Sequence, residues 1–191
     1  MASTLRAFLF ALLLVPVAAA SQEPDSERIW SALKQGGHVV LVRHGLTTPG
    51  VGDPPGFRLE DCKTQRNLTE EGRREARRLG DAFRVRDIRV DRVFSSPWCR
   101  SLETAKIAFG APEVWKPLGN LFGRPEAHDE QVREMQAKLG ERRPGVNIVW
   151  VSHGSTIAAA TGISPDTAEM VVVTPRAGGK FEVIGRLKVA P

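Results

Sequence analysis

Four short runs rich in branched and aliphatic residues, at 39–42, 90–94, 146–151 and 170–173, restrict most strongly what this chain can fold into. Largely continuous apolar runs of this length suit strands covered on both faces, and such strands are buried and mostly parallel. Between the runs, apolar residues return at helical spacing. Ala76, Leu79 and Phe83 mark one stripe, Leu102, Ala105 and Phe109 a second, and Val132, Met135 and Leu139 a third. Thr69 stands where the first of these helices needs its N-cap. The alternation predicts an α/β fold with a mainly parallel central sheet, helices on both faces, and ligands gathered at the carboxyl ends of the strands. The segment 181–189 reads as a final edge strand after a turn at Gly178 and Gly179. With 41% hydrophobic and 26% charged residues in 191 positions, the chain has enough apolar material for one ordinary domain, which excludes disordered, collagenous and membrane-bundle classes.

The amino terminus sets the context. Arg6 precedes an uncharged run over 7–20 that ends in small residues, Ala18 and Ala20 flanking Ala19. This pattern predicts a cleaved secretory signal over residues 1–20, with 21–191 as a single domain that is periplasmic or secreted. The competing reading is a membrane anchor, but the run falls short of the ~20 residues of a spanning helix and Pro16 interrupts it. No stable membrane insertion is therefore expected after cleavage. Export would let Cys62 and Cys99 form a disulfide, worth roughly 4 kcal/mol in the chain-entropy picture; two buried free thiols are the alternative. A formal net charge of +5 favours anionic partners. The chain has neither zinc-ligand spacing nor a basic repeat interleaved with glycine or aromatics, so nucleic acid is not expected as a partner.

Three motifs fall at the ends of expected strands: Leu41-Val42-Arg43-His44-Gly45, Ser95-Ser96-Pro97-Trp98-Cys99-Arg100 and Val151-Ser152-His153-Gly154. Singly, each has a bland explanation as surface charge or helix capping. Together they can bring two guanidiniums and two imidazoles to one strand-end pocket. A neutral imidazole is a good nucleophile toward phosphorus, and a planar guanidinium grips two phosphoryl oxygens through parallel hydrogen bonds. Gly45 permits close backbone approach, and a helix beginning near Pro97 would aim its positive end at the anion. The long Gly- and Pro-rich loop over 47–67 is expected to be functional.

These three segments resemble the histidine phosphatase superfamily, also called phosphoglycerate-mutase-like. The resemblance implies that His44 is the nucleophile forming a phosphohistidine, and that Arg43, Arg100 and His153 complete the phosphate pocket. The stretch from Gln65 to Gly72 also resembles a family region and reads as mainly structural. Larger members carry an acidic proton donor in an insertion after the third strand. Here only 53 residues separate Arg100 from His153, so no large cap domain is expected, and that position holds no acid. Glu126 is the candidate proton donor, while Asp53, Asp61 and Asp129 read as solvated charges. Gly154 stands where acid-phosphatase and phytase members have an aspartate, which argues against a phytase. The Gly119-Asn120 pair is similar to the group of exported lipopolysaccharide-core heptose phosphatases.

The resulting expectation is an exported phosphatase that hydrolyses phosphomonoesters of a small molecule or envelope glycan, with no cofactor and no metal. The histidine spacing offers no metal site, and arginines would balance the phosphate charge. The alternative is a catalytically weak phosphate-binding protein of the same fold. The basic run Arg73, Arg74, Arg77 and Arg78 reads as a solvated helix face. Oligomeric state is open at this level.

Overall fold

The computed structural model describes residues 25–141 and 144–190; the expected signal segment lies outside them. The chain runs α1 (Asp25–Gln35), β1 (Val39–Arg43), α2 (Glu70–Arg84), β2 (Val90–Ser95), α3 (Cys99–Phe109), β3 (Glu113–Val114), α4 (His128–Leu139), β4 (Asn147–Ser152), α5 (Gly154–Thr161), β5 (Met170–Arg176) and β6 (Lys180–Leu187). The strands form one sheet in the order β3-β2-β4-β1-β5-β6. Strands β1 to β4 pair in parallel, whereas β5 runs antiparallel to β1 and β6 antiparallel to β5.

The continuous apolar runs are explained by the two cores. In β1, Val40 and Val42 face one cluster with α1, α2 and α3, while Val39 and Leu41 face a second with α4 and α5. Val149 and Val151 in β4, and Met170 and Val172 in β5, join the first; their neighbours Ile148, Trp150, Val171 and Val173 join the second. Successive side chains of a strand point to opposite faces, so both must be apolar where helices cover both. Among the described residues no helix is long and apolar enough to cross a membrane.

Several local expectations hold, and some are corrected. Thr69 caps α2, accepting from the Gly72 N–H at 3.0 Å, and Ala76, Leu79 and Phe83 are buried beneath that helix. Three arginines of its basic face are held in ion pairs, Arg73 with Glu70 and Glu103, and Arg74 and Arg78 with Glu71. The run at 170–173, expected among parallel strands, is antiparallel. The connector after α5 returns to the carboxyl edge of the sheet, where the Ala168 N–H donates to the Arg43 carbonyl at 3.1 Å, so β5 must descend from there. Helix α3 buries Arg100, Ser101 and Thr104 along with Ala105 and Ala108, a more polar face than the 102, 105, 109 stripe implied. Helices α1 and α5 were not anticipated. α5 has almost no amphipathic signature, being composed of small residues packed beneath the sheet.

Candidate active site

Strand register decides where the motifs meet. Arg43 pairs with Ser152 and Ser95 with Val151, so β1, β2 and β4 end at one level. The next residues stay in step, His44 N–H donating to the Ser152 carbonyl at 3.0 Å and Ser96 N–H to the Val151 carbonyl at 2.9 Å. Arg43, His44, Arg100 and His153 therefore line one cleft of about 260 Å³, together with Arg66, Asn120, Phe122, Ser155 and the loop residues Gly50 to Gly52.

The Gly45 carbonyl fixes the tautomer of His44. His44 Nδ1 lies 2.8 Å from the Gly45 carbonyl oxygen, which can only accept. Nδ1 thus carries the proton, and Nε2 keeps its lone pair. Burial pushes the His44 pKa down to about 3, and the charges of Arg100, Arg43 and Arg66 act in the same direction, so the ring is neutral near pH 7. His153 is also held well below the usual imidazole range, by burial first and then by His44 and the same arginines. Its Nε2 meets the Ser96 hydroxyl at 2.8 Å. The Trp98 N–H donates to that hydroxyl oxygen at 3.3 Å. The other ring nitrogen of His153, Nδ1, is buried without a partner.

Three donors are in the same condition: the Nε atoms of Arg43, Arg66 and Arg100 are buried and unpartnered. Buried polar groups nearly always have partners, so three such guanidinium donors on residues lining one cleft mark a place built for an anion. Gly154 lines the same cleft, where an added Cβ would touch the Arg43 side chain at 3.4 Å.

Two members of the site were missed at the sequence level. Arg66 stood in a stretch read as structural. Its place just before the α2 cap, beside the motif-bearing strands, was the available signal. Asp53, read as a solvated charge, is buried against Arg100 with Nη1–Oδ1 at 2.7 Å and Nη2–Oδ2 at 3.1 Å. Burial pushes its carboxyl up, but hydrogen bonds from Arg100, the Arg66 N–H and Trp98 outweigh that and hold it below the usual carboxylate range. No local signal distinguishes Asp53, because its partner lies 47 residues away.

Two expectations require correction. Glu126 is exposed in a short 3₁₀ turn, paired with Arg124 at 3.5 Å, and does not line the cleft; a chain turn at Pro125 carries it outward. Among the described residues no carboxylate lines the cleft. Helix α3 begins near Pro97 as expected, at Cys99, but its first N–H donates to Gln65 Oε1 at 3.0 Å, so the helix reaches the cleft through the Arg100 side chain rather than through its N-terminus. Cys62 and Cys99 form a disulfide that ties the 47–67 loop to the start of α3.

The family model described as histidine phosphatase superfamily (branch 1) matches residues 39–118. No curated protein sequence matches the chain. Among solved structures, the chain is similar to the protein histidine phosphatase SixA complexed with tungstate, with 20% identity, 79% of this chain and 96% of that one covered, and a TM-score of 0.56. It is similar to phosphoserine phosphatase from Entamoeba histolytica in complex with 3-phosphoglyceric acid, with 15% identity, coverage of 78% and 95%, and a TM-score of 0.54. A third similar structure, TTHB049 from Thermus thermophilus, gives 21% identity, coverage of 79% and 99%, and a TM-score of 0.53. The matched segment carries two of the three motifs and the fold brings the third beside them, so over that segment the chain is similar to the histidine phosphatase superfamily.

Proposed function

We propose that this protein is a phosphatase that hydrolyses phosphomonoesters through a phosphohistidine on His44. One observation carries the reading: a neutral imidazole with a free Nε2 lone pair lines one cleft with Arg43, Arg66 and Arg100, each of which has a buried, unpartnered guanidinium donor. In the first step Nε2 attacks phosphorus, the N–P bond forms, and the bond to the leaving-group oxygen breaks with its electron pair staying on that oxygen. The guanidiniums hold the phosphoryl oxygens as charge builds on them. In the second step water attacks phosphorus, the N–P bond breaks, and inorganic phosphate and neutral His44 are released. These arginines and His153 supply the charge balance that a metal would otherwise provide, so activity is expected to survive a chelator.

Substrates are small phosphorylated compounds or a phosphorylated envelope glycan. The likeness to a phosphoserine phosphatase supports the first. Residues 1–20 act as a cleaved signal and 21–191 as one domain, placing the protein in the periplasm or outside the cell. The disulfide supports an oxidising compartment.

The lack of a carboxylate among the described residues lining the cleft favours a second reading, a phosphate-binding protein with little turnover. An aryl phosphate separates the two, because its leaving group departs without protonation. Hydrolysis with labelled phosphate trapped on His44, abolished in His44→Ala, is the expected result. Tight phosphate binding with no turnover of the aryl ester would replace the phosphatase by the binding protein.

A further inference from the structure

The phosphatase reading gives Asp53 no role, yet Asp53 and Arg100 form an ion pair with side chains only 3% and 1% exposed. Taking two charges out of water is costly unless their remaining hydrogen-bonding capacity is met. Here it is met: besides Arg100, Asp53 Oδ1 accepts the Arg66 N–H at 3.0 Å and Oδ2 accepts Trp98 Nε1 at 3.0 Å. The carboxylate either fills the seat meant for phosphate or backs the arginine from behind.

A donor count decides between these. An arginine offers five N–H groups. Asp53 takes one from each terminal nitrogen, and the Arg66 carbonyl, 3.4 Å from Nη1, takes a third. The two that remain, on Nε and Nη2, lie side by side along one edge of the guanidinium, and Nε is the buried donor without a partner. Arg100 lines the cleft, whereas Asp53 does not. The carboxylate therefore sits behind the arginine and leaves free the edge suited to a bidentate grip. The charges agree with this placement. Three guanidiniums and one carboxylate, with both imidazoles neutral, give a net +2, which matches a phosphoryl dianion.

We propose that Asp53 is a positioning residue, its carboxylate gripping the far end of the Arg100 guanidinium so that the Nε–Nη2 edge is presented to a dianionic phosphoryl group beside His44. The inference rests on the phosphatase reading of this cleft. The loop bearing Asp53 is itself fastened, by the Cys62–Cys99 disulfide and by Gln65, whose side-chain oxygen holds the Cys99 N–H at 3.0 Å.

The test is calorimetric titration of the whole protein with inorganic phosphate. Asp53→Asn puts an amide N–H where Arg100 or Trp98 also presents a donor, and is expected to weaken binding roughly tenfold or more. In an Arg100→Met background the same change should cost nothing further, because a residue acting through another shows complete non-additivity. Equal losses in both backgrounds would mean a merely structural Asp53. Tighter phosphate binding by Asp53→Asn would mean that the carboxylate fills the phosphate seat, and either result overturns the proposal. Asp53→Glu keeps the pair charged and serves if the amide variant does not fold. It should weaken phosphate several-fold by displacing the guanidinium, and unchanged affinity would be equally fatal. A wild-type protein that binds no phosphate would instead bring down the phosphatase reading itself, and this inference with it.

Discussion

At the scale of single residues, the site is an exercise in holding bases neutral. His44 and His153 lie beneath the sheet edge among three guanidiniums, and burial lowers both pKa values. The consequence for stability follows from proton counting. Between pH 6.5 and about 3 the unfolded chain takes up a proton at His44 that the folded protein refuses, so the folded state loses stability as pH falls through that window. His38, also lowered by burial, adds to the same slope. Asp53 and Glu169, whose carboxyls are held low, act in the same direction, but only once pH enters the ordinary carboxylate range near ~4. The melting temperature of the ligand-free protein should therefore fall between pH 7 and pH 5, and His44→Asn should flatten that dependence. Equal slopes for both proteins would show that His44 is not buried as a neutral base.

At the scale of elements, two junctions assemble the cleft. The first is the contact between the exit of β1 and the first turn of α2. A Cβ on Gly72 would stand 2.1 Å from the Leu46 carbonyl oxygen, and one on Gly45 would stand 2.5 Å from the Gly72 oxygen. Backbone lies against backbone here, so neither partner can yield by a rotamer change. Gly72→Ala should destabilise the protein by about 3 kcal/mol, in the upper part of the usual range for single substitutions. Urea unfolding measures it, and a change under ~0.5 kcal/mol would show that the helix shifts freely. The second junction is the disulfide between the 47–67 loop and the start of α3. That loop supplies Arg66 and Asp53, and α3 supplies Arg100. Cys62→Ser/Cys99→Ser should lower stability by up to roughly 4 kcal/mol and raise KM for an aryl phosphate more than it lowers kcat. An unchanged KM would mean that Asp53 and Gln65 hold the loop without the bridge.

At the scale of the whole molecule, the sheet is a platform with a core on each face and its chemistry at one end. Both core clusters are drawn from residues between 29 and 189 among the described residues. A protein beginning at Ser21 should therefore melt at the same temperature as the full chain, as scanning calorimetry would reveal. N-terminal sequencing of the exported protein should read Ser21 first; a start at Met1 would refute signal cleavage. Turnover in the presence of excess chelator is expected to equal that without it, since three arginines already line the cleft.

What the sequence determined by itself was whatever is written in near neighbours. Continuous apolar runs announced strands with cover on both faces, Thr69 announced the start of α2, and the residues after each strand announced His44, Arg43, Arg100 and His153. Such features persist because strand period, cap chemistry and strand-end position are local consequences of local residues. The direction of β5 was decided by where its connector returns, and the small residues of α5 gave no period to read. Only the tertiary structure separated the carboxylates. Glu126 and Asp53 look alike in sequence, but one is turned out to solvent beside Arg124 and the other is folded beneath Arg100. That choice depends on how a long irregular loop crosses the sheet edge, and the partner that makes a buried carboxylate tolerable is supplied from a distant helix rather than by its neighbours in the chain.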